Sequence, residues 1–277
     1  MITQSFFKVH QMLVITSFNE SLLQQYGKRM VQEFSAKSDG TVKLVVIYEG
    51  NSLPEINLSN IEFIRFNHMG HHEFIRKFGH LQEARGVRIS YLPNGQVYLS
   101  HDFRFDAVRF SFKIFSLLQA LELFKSVDYF AWLDADVRCL KNFSKDELLQ
   151  FLPHDNQLMS YLGRTKFPPT GAYSECGFLG FNNLHPLTNE LLNKIADTYQ
   201  NGEIFAHKQW HDSWIWDQIR LVFENRNVDF KNISGDAVST DHPFINSALG
   251  IFFDHLKGPE RKKIGHSFAE DYTIRNK

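Results

Sequence analysis

The sequence predicts an α/β fold, a mostly parallel central sheet flanked by helices, built by the whole chain as one domain. Three observations carry this. Its first half alternates apolar, strand-like runs with an amphipathic helical segment, the rhythm of β-α-β units. The stretch "DYFAWLDADVRCL", residues 128–140, is nearly all apolar until it places Asp134 and Asp136 one residue apart, as a central strand ending at a ligand edge would. Finally, 277 residues without repeat, low-complexity tract or linker-like composition suffice to bury one core.

The elements follow in order. "MLVITSF" at 12–18 reads as a strand, "ESLLQQYGKRMVQEF" at 20–34 as a helix, and "VKLVVIY" and "NIEFIRF" as two more strands. In the helix, Leu22, Leu23, Tyr26, Met30 and Phe34 fall on one face at helical spacing, and Asn19 stands where a cap is needed. Residues 68–103, with "HMGHHEF", "LPNG" and "HDFRFD", read as an irregular excursion whose histidines face solvent or an acceptor. A long helix is predicted over 106–124, leading into the strand Tyr129–Leu133. Beyond it come a short helix capped by Ser144, strands in "NQLMSYL" and "CGFLGFN", helices in "LTNELLNKIADTY" and "DSWIWDQIRLVFEN", a strand in "VDFKNI", and a basic, Gly-containing tail.

Composition excludes several classes. Thirty Lys and Arg against 31 Asp and Glu leave no bulk attraction to nucleic acid or to an anionic bilayer, so an anion would need a local site. The two cysteines, Cys139 and Cys176, lack metal-site spacing and speak against a disulfide scaffold, which points to a reducing compartment. The first 20 residues carry no basic segment followed by a long apolar region, and the longest apolar runs are too short to span a bilayer. A cytoplasmic protein, free or peripheral at a membrane, is the expectation. Four Asn-x-Ser sequons, at Asn19, Asn57, Asn142 and Asn232, are then incidental.

The chemistry starts at the paired aspartates. Strand geometry would send both side chains to one side about 6 to 7 Å apart at the Cα atoms, where like charges repel and a hard divalent cation relieves the repulsion. All-oxygen ligation suits Mg²⁺ or Mn²⁺. As a bland alternative, Asp134 ends the strand and Asp136 caps a turn.

"YFAWLDADV" resembles the Asp-x-Asp segment of GT-A glycosyltransferases, metal-dependent enzymes that use nucleotide-sugar donors. Three further segments match in order. "ECGFLGFN" resembles the strand beside donor sugar and acceptor, "WHDSWIWDQ" the helix start that supplies a carboxylate under the donor sugar, and "HLKG" with Arg261, Lys262 and Lys263 the C-terminal segment whose histidine joins the metal. Glycogenin-like retaining members carry His-x-x-Gly-x-x-Lys-Pro-Trp there, whereas this chain has "HLKGPERKK".

The resemblance implies a nucleotide-sugar-binding half at 1–140 and an acceptor-binding half with the tail at 141–277. It implies transfer of a hexosyl or pentosyl group from a nucleotide-diphosphate sugar, UDP-linked by preference and GDP-linked as second choice, to a hydroxyl of a glycan or other acceptor. It assigns Asp136 as direct metal ligand, Asp134 to the ribose or a metal-bound water, and His255 as third ligand, a set that favours Mn²⁺ over Mg²⁺. Lys257, Arg261 and Lys262 would close over the diphosphate. Arg109 and Lys113, four residues apart on one helix, would lie beside the nucleotide, with Thr16 and Phe18 near its base. Glu175 and Asp212 are the candidate catalytic carboxylates, either as base toward the acceptor or, for Asp212, as stabiliser of an oxocarbenium-like sugar.

Two other chemistries fit parts of the sequence. A haloacid dehalogenase-type phosphatase would use Asp134 as nucleophile with Mg²⁺ and the "SGDAVSTD" segment, Gly235, Asp236 and Asp241, as its late acidic motif. A non-catalytic carbohydrate-binding protein would exploit the aromatic residues alone. His207 and His211, four apart, lack the glutamate of a metalloprotease helix.

Overall fold

The computed structural model describes residues 11–91, 93–154, 156–165 and 174–273. Its strands are β1 (Met12–Phe18), β2 (Lys43–Tyr48), β3 (Ile61–Arg65), β4 (Val87–Tyr91), β5 (Val97–His101), β6 (Tyr129–Leu133), β7 (Val137–Cys139), β8 (Gln157–Leu162), β9 (Glu175–Asn182), β10 (Asp229–Asn232) and β11 (Phe253–His255). The helices are α1 (Glu20–Leu22), α2 (Lys28–Lys37), α3 (Met69–Phe78), α4 (Ala107–Leu123), α5 (Lys145–Leu149), α6 (Thr188–Gln200), α7 (Asp212–Glu224), α8 (Pro243–Asn246) and α9 (Gly258–Ile264).

Seven strands form the central sheet in the order β10-β8-β9-β6-β1-β2-β3. β3, β2, β1 and β6 run parallel, β8 and β10 run with them, and β9 alone is reversed between β6 and β8. The α/β class with a mostly parallel sheet is thus what the chain forms. Strand order turns back between β1 and β6, where an open α/β sheet leaves a crevice outside its carboxyl edge.

Alternation along the strands divides the core. Leu13 and Ile15 of β1, with Phe130 and Trp132 of β6, pack under α4, α6 and α7. Met12, Val14 and Phe18, with Tyr129, Ala131 and Leu133, pack on the other face against Met30, Val31 and Phe34 of α2. Both faces are covered, so β1 and β6 are apolar throughout rather than alternating.

The predicted first helix is α1 and α2 joined by a π turn at Leu23–Gly27, and Asn19 Oδ1 accepts from Leu22 N at 3.0 Å as its cap. Ser144 and Glu147 form a reciprocal capping box at α5. The region read as irregular departs most from expectation. It contains α3 and an antiparallel hairpin, β4 with β5, and the "HMGHHEF" histidines are not simply solvent-facing: His71 is 4 % exposed, with its ring 4.3 Å from Phe112 and 4.8 Å from Phe66. Gly70 lets the helix approach closely, since a Cβ there would lie 2.9 Å from the Phe115 ring. The basic tail also has structure, as strand β11 paired with β7 and then as α9. Among the described residues no helix is long and apolar enough to cross a membrane.

Candidate metal centre and substrate cleft

The carboxyl edge of β6 delivers the aspartates. The chain does not continue as a strand through them: Asp134 N donates to Gly177 O at 2.9 Å and Val137 N to Asp134 O at 3.1 Å, a tight turn before β7. β7 then pairs with β11 so that Val137 faces His255, and Leu256 N donates to Asp136 O at 3.2 Å. Register alone thus carries a histidine more than a hundred residues downstream to the aspartates. His255 Nε2 lies 3.4 Å from Asp136 Oδ1 and 3.6 Å from Asp134 Oδ2, and ligand-capable atoms of all three residues fall within 4.8 Å of one another. Two carboxylates and one imidazole match the donors that Mn²⁺ or Mg²⁺ takes, with imidazole favouring Mn²⁺.

Behind them stands the start of β9, whose reversal places its first residues beside the end of β6. Three consecutive residues there support the cluster. Glu175 Oε1 accepts from His255 Nδ1 at 2.8 Å. Cys176 O accepts from Lys113 Nζ at 2.8 Å. Gly177 holds Asp134 by its carbonyl and, lacking a side chain, leaves room for the imidazole, because a Cβ would lie 2.6 Å from His255 Cε1 and Nδ1.

Cations balance the carboxylates. Lys113, buried on α4, lies 3.0 Å from Asp134 Oδ1 and 2.5 Å from Asp212 Oδ2. Burial alone would favour its neutral form, but the two aspartates override this and raise its pKa. Burial likewise opposes the charge on Asp212, and Lys113 outweighs it to hold the carboxyl below its usual range. Trp132 Nε1 donates to Asp134 Oδ1 at 2.5 Å, and Lys262 Nζ of α9 lies 2.6 Å from Asp136 Oδ2. For His255, burial opposes protonation, yet Asp136 and Glu175 together raise its pKa to about 9.

Two cavities meet over this cluster. One, of about 470 Å³, is lined by Ser17, Asn19, Tyr26, Glu49, Arg109 and Trp132 among others. The second, of about 420 Å³, is lined by Phe103, Arg164, His211, Ser213, His255 and Lys257 among others. Phe110, Asp136, Asp212 and Lys262 line both. A third cavity of about 680 Å³ opens beside them along Arg109, Phe110, Lys262 and Lys263. Each has the size of a small-ligand site.

The structure brings Asp134, Asp136, His255, Lys113 and Asp212 together, with Arg109 at the wall and Lys257 lining the second cavity. Others lie elsewhere than expected. Thr16 and Phe18 are fully buried on the α2 face, Phe18 edge-on to Tyr48 and Phe63, and it is Ser17 and Asn19, of opposite parity, that reach the cleft. Arg261 turns away into a paired contact with Asp271, 2.6 Å at both nitrogens, leaving Lys262 and Lys263 at the cleft. Glu175 is 2 % exposed and sits under His255, where Lys257 Nζ at 2.8 Å, Arg164 at 2.9 Å and Phe244 N at 3.3 Å hold its other oxygen, and it lines none of the three cavities. His207 and His211 share no helix face, since α7 begins at Asp212. Asp236 and Asp241 line none of the three cavities.

Sequence reading missed Ser17, Tyr26 and Glu49. Glu49 follows β2 directly, and its burial lifts the carboxyl to about 7 against the pull of Ser17 and Arg109. An acidic residue closing an apolar strand was the available signal.

No family model and no curated protein matches the sequence. Among solved structures the chain is similar to mouse xyloside xylosyltransferase 1 in its apo form, with TM-score 0.43 and 14 % identity over 80 % of this chain and 84 % of that one. It is also similar to the apo WbbM bifunctional glycosyltransferase, with TM-score 0.46 and 12 % identity over 82 % of this chain and 39 % of that one. A third is a glycosyltransferase involved in glycosylation of the major capsid of PBCV-1, with TM-score 0.45 and 12 % identity over 92 % of this chain and 99 % of that one.

Proposed function

We propose that this chain is a metal-dependent glycosyltransferase that moves a sugar from a nucleotide-diphosphate sugar to a hydroxyl of a glycan or other acceptor. The observation that carries the reading is the convergence of Asp134, Asp136 and His255 where two cavities meet at the reversal of the sheet, Asp136 lining both, Asp134 the first and His255 the second. A phosphatase needs one such cavity; a transferase needs room for donor and acceptor on either side of the reacting bond.

Asp134, Asp136 and His255 would hold Mn²⁺ or Mg²⁺, whose chemistry here is Lewis-acid stabilisation of the leaving diphosphate. The remaining roles belong to the chain. Ser17, Asn19, Tyr26 and Glu49 line the side of the cleft suited to base and ribose, with a UDP-sugar as first candidate donor and a GDP-sugar as second. Arg109 and Lys262 present cations to the diphosphate, and Lys113 fixes Asp134 against Asp212. Asp212 lines both cavities with its charge held by Lys113. A carboxylate whose pKa is depressed makes a poor base, so Asp212 acts by orienting the donor sugar and stabilising positive charge at its anomeric carbon.

A panel of UDP- and GDP-sugars tested with Mn²⁺ and Mg²⁺ decides the matter. At least one should raise the melting midpoint and be slowly hydrolysed to its nucleoside diphosphate only when metal is present. If no sugar nucleotide binds, or if binding is equal in EDTA, the reading fails.

A further inference from the structure

Glu175 neither faces the cleft nor lies idle. Its carboxylate is 2 % exposed, and one oxygen, Oε1, touches His255 Nδ1 at 2.8 Å with His242 Nδ1 3.1 Å away. The other oxygen carries Lys257, Arg164 and the Phe244 amide. Glu175, His242 and His255 also bring ligand-capable atoms within 4.8 Å, so a second cation site there must be weighed. Two cationic side chains already occupy the carboxylate, and a divalent ion would add charge to a buried position that holds it. The arrangement serves orientation instead.

An imidazole has two nitrogens, and only one can face the aspartates. A carboxylate accepting from Nδ1–H leaves Nε2 as the nitrogen that faces Asp134 and Asp136, able to give its lone pair to a metal once its own proton is displaced, and blocks the ring from turning over. The surroundings restrict the ring further. His242 Nε2 meets the His255 carbonyl at 2.9 Å, the Phe244 ring lies 5.2 Å away, and the imidazole edge rests against Gly177, where a Cβ would lie 2.6 Å from it.

Building on the metal-site reading above, we propose that Glu175 is a positioning residue that acts through His255, fixing the imidazole so that Nε2 completes the metal site. It touches neither donor nor acceptor. The two charged partners of its second oxygen keep it ionised and in place, so the contact to Nδ1 is charge-assisted.

The test reads metal binding rather than transfer. Mn²⁺ affinity is measured by the loss of the free-ion paramagnetic resonance signal for the full chain, Glu175→Gln, Glu175→Asp, His255→Ala and the two Glu175 variants combined with His255→Ala. Glu175→Gln keeps shape without charge, and Glu175→Asp keeps charge for Lys257 and Arg164 while withdrawing the oxygen from Nδ1, so one survives where the other fails to fold. Each single Glu175 variant should weaken Mn²⁺ binding about 10- to 100-fold. Neither should weaken it further once His255 is alanine. An equal loss in both backgrounds, or unchanged affinity in the singles, overturns the proposal. Tight Mn²⁺ binding that obeys this pattern in a protein that takes no sugar nucleotide would sink the transferase reading and leave the positioning role standing. Transfer activity with Glu175-independent Mn²⁺ affinity would do the reverse.

Discussion

At the scale of single residues the site is a set of charges, each balanced by a counter-charge from another element. Asp136 faces His255 and Lys262, Asp134 faces Lys113, and Lys113 in turn bridges to Asp212. Replacing Asp136 with alanine removes one of the three proposed ligands without opening the core, and should lower Mn²⁺-dependent donor affinity by more than tenfold, about 1.4 kcal/mol or more. The melting midpoint without metal should stay within a few degrees; titration calorimetry and a thermal scan check both. Lys113 is different because it is buried. Lys113→Met would strand two carboxylates and should cost about 3 to 5 kcal/mol in urea denaturation. A loss below about 1 kcal/mol would show that Asp134 and Asp212 find other partners. The aspartates were legible because two charges one residue apart at the end of an apolar strand repel unless something balances them. Thr16 and Phe18 were misplaced by one step of parity: which β1 face opens to the cleft is set by α2 covering the other, and that is a tertiary fact. Glu175 was legible as a buried charge with a purpose, but its partner comes from β11 and its direction from β9, neither of which spacing reveals.

At the scale of elements, two segments decide the geometry. The first is the start of β9, where Glu175, Cys176 and Gly177 serve His255, Lys113 and Asp134 in turn. Gly177→Ala should push the His255 ring out of line, since the added Cβ would lie 2.6 Å from it, and so weaken Mn²⁺ binding while the sheet still folds. Unchanged Mn²⁺ affinity in that variant would mean the imidazole has space that the packing does not suggest. The second is α3, which the histidine-rich "HMGHHEF" hid as a polar loop. Its His71 is neutral and buried: desolvation first, then the neighbouring His72 and His68, lower its pKa from 6.5 to about 3. The unfolded chain binds this proton near pH 6.5 and the folded chain resists it, so stability is intact above pH 6.5 and falls as pH drops toward 3, by up to about 1.4 kcal/mol per unit. His71→Phe should flatten that slope between pH 6.5 and 4 in denaturant titrations. An unaltered slope would assign the acid sensitivity to other groups. Long apolar strands and well-capped helices were readable from periodicity and caps, whereas α3 was not, because its burial depends on partners in α4, and the β4–β5 hairpin was not, because it is mostly exposed and shows no buried face.

At the scale of the molecule, the sheet draws strands from both halves of the sequence and places its reversal where β6 ends. The cleft follows from that topology: β1 and the residue after β2 supply one wall, α7 and the β11–α9 tail the other, and the paired aspartates lie between. This much was foreshadowed by the alternation of the first half and the apolar strand before Asp134. What periodicity could not convey was the long-range register, β7 on β11 and β6 on reversed β9, that turns scattered polar residues into one site. The central claim is that the site binds a nucleotide diphosphate through a metal held by Asp134, Asp136 and His255. Its most direct test is calorimetric titration of UDP and GDP into the wild-type chain with Mn²⁺, the same chain in EDTA, and Asp136→Ala with Mn²⁺. The account predicts clear binding of one nucleotide in the first case and at least tenfold weaker binding in the other two; equal affinity in all three, or none in any, would contradict it.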